Sequence, residues 1–375
     1  MGGSNWSELV PELLQAIRSR VLKNSVVDYI RFGVVCKPWG SVIVEKPRCL
    51  PPQIPLTMIS FVVYFKTISS CFYSLDSKNL YRCERERKSN YGMATMGYDH
   101  GWMFTVGHDH GWMVTVGYNS LGFAPSLVNP ITGDEILLPP LNGLDITYAT
   151  LSSHPTLTSD SENHCLVMAL VTLSSKFYSE SVVFCKPGDD KWTVIENVKD
   201  CKDLAYCNGV LYCLSSINRV VIVCDIATSS VVEQIDLPNS FKKRGRCYLI
   251  ESFGELLLLR AHFGQSYALG DQRVALGDER VVGFDVFRLD KSSRKWSEVK
   301  SLGDRTIFVS RISKISLLAS NHPGTKPNCI LFLLRTKRYM VFRLEDNSIE
   351  EFPFDAILND EFFQPGPYWF TPSLW

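Results

Sequence analysis

The sequence predicts a mainly β protein, a C-terminal β-propeller of about six blades preceded by a small all-α helical unit. Three observations lead there. A strand-turn-strand unit recurs along most of the chain at a spacing of about 50 residues. The first forty or so residues instead carry apolar side chains at helical spacing. A proline-rich stretch stands between the two regions.

Residues 4–44 form the expected helical unit. Leu9, Leu13, Ile17 and Val21 fall four apart, and Leu14 widens the stripe. Asp28 can cap a second run, in which Ile30 and Val34, and Val35 and Trp39, are again four apart. Pro38 would break a long helix but is tolerated in the first turn of a third, short one. A unit this small buries too little surface to stand alone, so its apolar stripe needs a partner or the following domain. In the linker, residues 45–56, Pro47, Pro51, Pro52 and Pro55 fix φ and remove backbone donors, which makes the connection extended. Residues 57–375 make the propeller.

The hairpins are read from an apolar strand, a polar turn and a second strand. They run from Leu127 to Pro139, Val223 to Pro238 and Val341 to Pro353, with Val286-Phe287-Arg288-Leu289-Asp290 leading to Lys295-Trp296-Ser297-Glu298-Val299. Lys191-Trp192-Thr193-Val194-Ile195 echoes the last of these, and Phe72 to Arg82 supplies a sixth. Gly209-Val210-Leu211-Tyr212 and Gly254-Glu255-Leu256-Leu257 read as further strands. Radial closure of such units removes the sheet edges that an open array would expose. The competing reading is a generic β-sandwich.

Two tandem duplications stand apart. Tyr98 to Gly107 is copied as His108 to Gly117, and Ala268 to Val274 as Ala275 to Val281. Neither unit is long enough for a blade, so one copy in each is expected to extend a loop or hairpin. The first gathers His100, His108 and His110 near Asp99 and Asp109. A metal site is disfavoured, because copying one histidine-bearing motif explains the cluster and no fourth ligand is specified. The 12 cysteines contain no C-x-x-C pair and are expected to be thiols. Cys201, Cys207 and Cys213, six apart, are expected on one buried strand face.

Charge and missing motifs narrow the function. Lys plus Arg number 39 and so do Asp plus Glu, so no overall field holds a polyanion and nucleic acid is not an expected partner. The run Lys242-Lys243-Arg244-Gly245-Arg246 reads as a solvated loop. No apolar stretch is long enough to cross a membrane, and the start lacks the features of a secretory signal. That directs the chain to the cytoplasm or nucleus. No phosphate-cradling, zinc-protease or nucleophile-elbow motif occurs, so neither catalytic residues nor a cofactor are assigned.

Trp6-Ser7-Glu8-Leu9, Pro11-Glu12-Leu13-Leu14, Ile17, Asp28, Phe32 and Val35-Cys36-Lys37-Pro38-Trp39 resemble the F-box motif in the form common in plants. The remainder resembles the KIB-type β-propeller found behind that motif in a large plant family of kelch-like substrate receptors. The matching segments include Leu50 to Pro55, His110 to Val114, Leu127 to Gly133, Phe284 to Asp290, Ser301 to Asp304 and Pro367 to Pro372. The resemblance implies a substrate-recognition subunit of an SCF-type E3 ubiquitin ligase. The F-box would dock on a Skp-type adaptor, and through it a cullin, while the propeller holds an unidentified target protein. It implies an adaptor-binding set of Leu9, Pro11, Glu12, Leu13, Leu14, Ile17, Val35 and Trp39. Val10, Gly33, Pro38 and Gly40 depart from the motif and weaken its later part. The alternatives are an interaction scaffold outside any ligase and, more remotely, a propeller enzyme acting on glycans.

Overall fold

The computed structural model describes residues 8–24, 28, 32, 36, 38–39, 54–63, 67–86, 103–119, 122–141, 144–155, 165–173, 180–215, 217–242, 245–264, 281–333, 338–354 and 367–373. One α-helix, α1 (Pro11–Asn24), lies at the N-terminus. Proline opens it, where a missing N–H costs nothing, and Glu12 lies in the first turn, where the helix dipole favours an acid. The expected two- or three-helix unit is not evident beyond α1 among the described residues. Its later helices fall mostly outside them, as does Val35, although Phe32 is buried with its ring 4.6 Å from that of Trp39.

The rest is a six-bladed propeller. The first blade holds β1 (Leu56–Val63), β2 (Thr67–Tyr73) and β3 (Leu80–Glu86). The second is β4 (Met103–Asp109), β5 (Trp112–Asn119), β6 (Gly122–Val128) and β7 (Glu135–Leu137). The third is β8 (Leu144–Leu151), β9 (Val167–Leu173), β10 (Glu180–Cys185) and β11 (Thr193–Ile195). The fourth comprises β12 (Cys201–Cys207), β13 (Val210–Ser215), β14 (Val220–Asp225) and β15 (Ser230–Asp236). The fifth comprises β16 (Arg246–Ser252), β17 (Glu255–Phe263), β18 (Val281–Asp290) and β19 (Lys295–Glu298).

The sixth blade departs from the four-stranded plan. It contains β20 (Arg305–Val309), β21 (Lys314–Leu318), β22 (Cys329–Leu333), β23 (Arg338–Arg343) and β24 (Ile349–Pro353), in the order β21-β20-β22-β23-β24. β20 runs parallel to β22, and β21 forms an extra antiparallel edge beside β20. A buried serine turn closes that extra hairpin: Ser310 N donates to Ser313 O at 2.9 Å, and the two hydroxyls lie 2.6 Å apart.

The last strand, β25 (Tyr368–Phe370), pairs with β1 and completes the first blade, so the two ends of the chain close the ring together. Trp369 is fully buried there, and its indole N–H donates to Val309 O of the sixth blade at 3.0 Å. Beyond β25, Ser373 is held by the second and third blades. Asn129 Nδ2 donates to its carbonyl at 3.1 Å, and His154 Nε2 lies 2.8 Å from its hydroxyl. Gly111, at φ +79°, faces Ser373 so closely that an added Cβ would stand 2.1 Å from the serine Cβ.

The first duplication does not lengthen a loop; it is the hairpin. Met103 to Gly107 from one copy pairs antiparallel with Val114 to Gly117 from the other, and Thr105 stands opposite Thr115. Each copy supplies one apolar strand, and the residues between them make the turn. The second duplication lies outside the described residues except for Val281. The three cysteines do not share a face. All are buried, but Cys201 and Cys213 pack between the third and fourth blades and Cys207 packs toward the fifth. A bulge between Cys201 and Asp203 inverts the alternation. Burial pushes the Cys165 and Cys247 thiols up to about 12, as expected of inert core residues.

Candidate interaction site

Helix α1 divides its apolar residues between two environments. Leu14 is 2% exposed, and Val21 packs on a propeller cluster that includes Leu56, Phe72, Val128, Ile131 and Phe370. Leu13 is 53% exposed and so is Val10. Leu9 and Ile17 are intermediate, while Pro11 and Glu12 are exposed. Successive helical residues are about 100° apart, so Leu13 and Leu14 cannot both serve one outward face. The expected set therefore splits. Pro11, Glu12 and Leu13 lie toward solvent with Val10, which the motif reading had set aside as a departure, while Leu9 and Ile17 are half-buried. Leu14 is buried and is closed to a partner. Trp39 is partly buried against Phe32.

A second constellation lies on the innermost strands, and nothing in the local sequence announces it. Lys314 of β21 donates to Asp203 of β12 at 2.5 Å and to Leu204 O at 2.7 Å. Asp203 also accepts from its neighbour Leu204 N at 3.0 Å and from Leu249 N of β16 at 2.7 Å. The ammonium lies 4.8 Å from the centre of the Tyr148 ring on β8. Four blades thus meet at one ion pair whose side chains are 7% and 8% exposed. Burial alone would lower the Lys314 pKa, but the Asp203 carboxylate outweighs it and holds the ammonium above its ordinary range. Burial pushes the Tyr148 hydroxyl up to about 12, so it stays protonated. The pair saturates its own hydrogen bonds, and the arrangement braces the ring.

The histidines of the duplication do not assemble. His100 lies outside the described residues, as does the His108 side chain. His110 sits in the β4-β5 turn, with its backbone N–H donating to Asp109 Oδ1 at 2.9 Å. Asp109 is engaged by the Thr150 hydroxyl at 3.0 Å. Among the described residues, no group of three or more His, Cys, Asp or Glu is placed to hold a metal ion, and no helix is long and apolar enough to cross a membrane.

The family model described as KIB1-4 beta-propeller matches residues 72–355, well over half of the chain. The chain belongs to that family. This KIB1-4 propeller protein is similar to curated proteins of Arabidopsis thaliana over most of its length. It is 23% identical to F-box protein At2g26160, covering 90% of this chain and 97% of that one. It is 24% identical to putative F-box protein At5g55150, covering 88% and 85%, and 24% identical to F-box/kelch-repeat protein At1g57790, covering 82% and 77%. These relatives carry F-box names, in agreement with the resemblance of the N-terminal residues to that motif. The family match begins inside β2, so α1 lies outside it.

Proposed function

We propose that this protein is the substrate-recognition subunit of an SCF-type E3 ubiquitin ligase, working in the cytoplasm or nucleus and performing no catalysis itself. α1 docks on a Skp-type adaptor, through it on a cullin, and the propeller carries the target. The observation that carries the reading is the two-sided helix, fastened to the propeller through Val21 and leaving Leu13 and Val10 each 53% exposed at its start. Full burial of such side chains is worth about 1.5 to 3 kcal/mol each, so their exposed halves together offer roughly 2 kcal/mol to a partner. The F-box names of relatives aligned over most of the chain support the same role.

The test is co-purification of the full chain with a plant Skp-type adaptor, beside Leu13→Asp. Leu14→Asp is a poor choice, because it would place a carboxylate where the side chain is 2% exposed and unseat the helix. Loss of the complex with an unchanged melting temperature is the expected outcome. A complex that survives Leu13→Asp removes α1 as the docking face. Failure to bind any of several adaptors leaves the interaction scaffold as the better reading.

A further inference from the structure

The turn joining the first and second strands of a blade has the same backbone in three places. His110-Gly111, Asn208-Gly209 and Phe253-Gly254 all carry positive φ at both positions, at 49° and 79°, 51° and 83°, and 52° and 82°. Such two-residue hairpin turns favour asparagine or aspartate followed by glycine. Asn208 obeys that preference. Phe253 does not, since a bulky side chain rarely adopts the left-handed region and a strained residue persists only where its surroundings over-determine it.

The Phe253 turn is held from two sides. Its glycine carbonyl, Gly254 O, accepts from Asn208 Nδ2 at 2.9 Å and from Lys291 Nζ at 3.3 Å. Yet Phe253 is 52% exposed, with the Arg305 guanidinium 5.9 Å from its ring centre. Strain is therefore accepted at a turn that leaves about half of an aromatic side chain exposed. Beside the turn lies a cavity of about 410 Å³, lined by Trp296, Arg288, Lys291 and Lys295 together with Glu255 and Asp290. Both acids are already satisfied. Glu255 is paired with Arg288 at 3.2 Å and Arg305 at 2.5 Å, and Asp290 accepts from the hydroxyls and backbone N–H groups of Ser292 and Ser293. Asp290 keeps its charge, so the three cations and two carboxylates of the lining leave one net positive charge, and the cations without an acidic partner are Lys291 and Lys295.

We infer that Phe253 and this cavity form a docking site for an acidic peptide segment that also carries an apolar residue. The apolar residue packs on the Phe253 ring, and the carboxylates face Lys291 and Lys295. The inference rests on the receptor reading only in taking that segment to belong to the target. Peptide binding is measured without any adaptor, so the two can fail separately.

The probe is a fluorescein-labelled nonapeptide of leucine, aspartate and glutamate, titrated by anisotropy into the full chain. Two controls accompany it: the same peptide with lysine for every acid, and one with serine for every leucine. The acidic, leucine-bearing peptide is expected to bind, and to bind more weakly as salt screens the lysines. Lys295→Glu and Phe253→Asn should each weaken it about tenfold or more. Phe253→Asn is a sound control for folding, because asparagine occupies the equivalent position at Asn208. Failure of the acidic peptide to bind, equal binding of the lysine peptide, or undiminished binding by Phe253→Asn would each overturn the inference. Loss of adaptor co-purification with peptide binding intact counts against the ligase role alone.

Discussion

Replacing Lys314 with methionine is a direct test of the inner ring. At an effective dielectric constant of about 20, unit charges 2.5 Å apart attract by roughly 7 kcal/mol. Much of that is offset by the cost of removing both ions from water. Taking away the amine alone leaves that cost uncompensated. Asp203 then keeps a buried charge and only the Leu204 and Leu249 N–H groups, so Lys314→Met should cost about 3 to 5 kcal/mol. Adding Asp203→Asn removes the stranded charge and keeps an oxygen for one of those two donors, which bond different carboxylate oxygens. The double variant should recover to within about 2 kcal/mol of the natural protein. The measurement is the urea midpoint of all four proteins at a common m value. A loss below about 1 kcal/mol for Lys314→Met, or a double variant no better than the single one, would refute the view that the pair braces four blades.

Other outcomes follow from the same geometry. Phe253→Asn should raise stability by about 1 kcal/mol, since a left-handed backbone costs a bulky residue about that much; in a calorimetric scan the shift is roughly 2 °C, and a lower melting temperature would mean that the ring packs rather than waits. Burial pulls the Glu255 pKa upward, but Arg305 and Arg288 outweigh it and hold it below its ordinary value of 4.5. A depressed carboxylate stabilises above its unfolded pKa, so this contribution is present above about pH 4.5 and is lost as pH falls through the lower folded value. Glu255→Gln should flatten the fall of melting temperature with acid, and an unchanged slope would deny the clamp. Deleting residues 368–375 should unseat α1, because Phe370 belongs to the cluster that receives Val21; limited proteolysis that spares α1 in the shortened chain would contradict it.

The most legible part of the fold was its outside, although the inner strands β13 and β17 were also read, from Gly209 to Tyr212 and Gly254 to Leu257. All six hairpins recognised from sequence are the outer pair of strands of a blade, namely β2-β3, β6-β7, β10-β11, β14-β15, β18-β19 and β23-β24. Outer strands meet water on one side, so they alternate, as β15 does with Gln234 and Asp236 turned out and Ile235 buried between them. Inner strands are covered on both faces. β9 has five consecutive buried residues, Val167 to Val171, and no alternation to read. The parallel β20-β22 pair and the closure by β25 depend on contacts far apart in sequence, for which a turn signal offers no guide. The Asp203–Lys314 pair is a separation of 111 residues, and neither member sits in a motif. Phe253 was within reach: Phe-Gly stands where the neighbouring blade has Asn-Gly. In α1, apolar spacing located the helix but not its orientation, because only the packing of Val21 and Leu14 decides that Leu13 faces out.

The closure ties the first and last strands of the propeller to each other. β25 supplies the innermost strand of the first blade, and the cluster that seats Val21 contains Tyr368 and Phe370 from β25 beside Leu56 and Met58 from β1. The seat of α1 is therefore complete only when the last strand has joined the ring. A chain with an open propeller exposes the edge of β1 and lacks the surface that positions the helix. Presentation of Leu13 to a partner is thus coupled to completion of the domain proposed to carry the target. A partner that binds only the seated form of α1 shifts the equilibrium toward the closed ring by mass action, and a closed ring favours that partner in return.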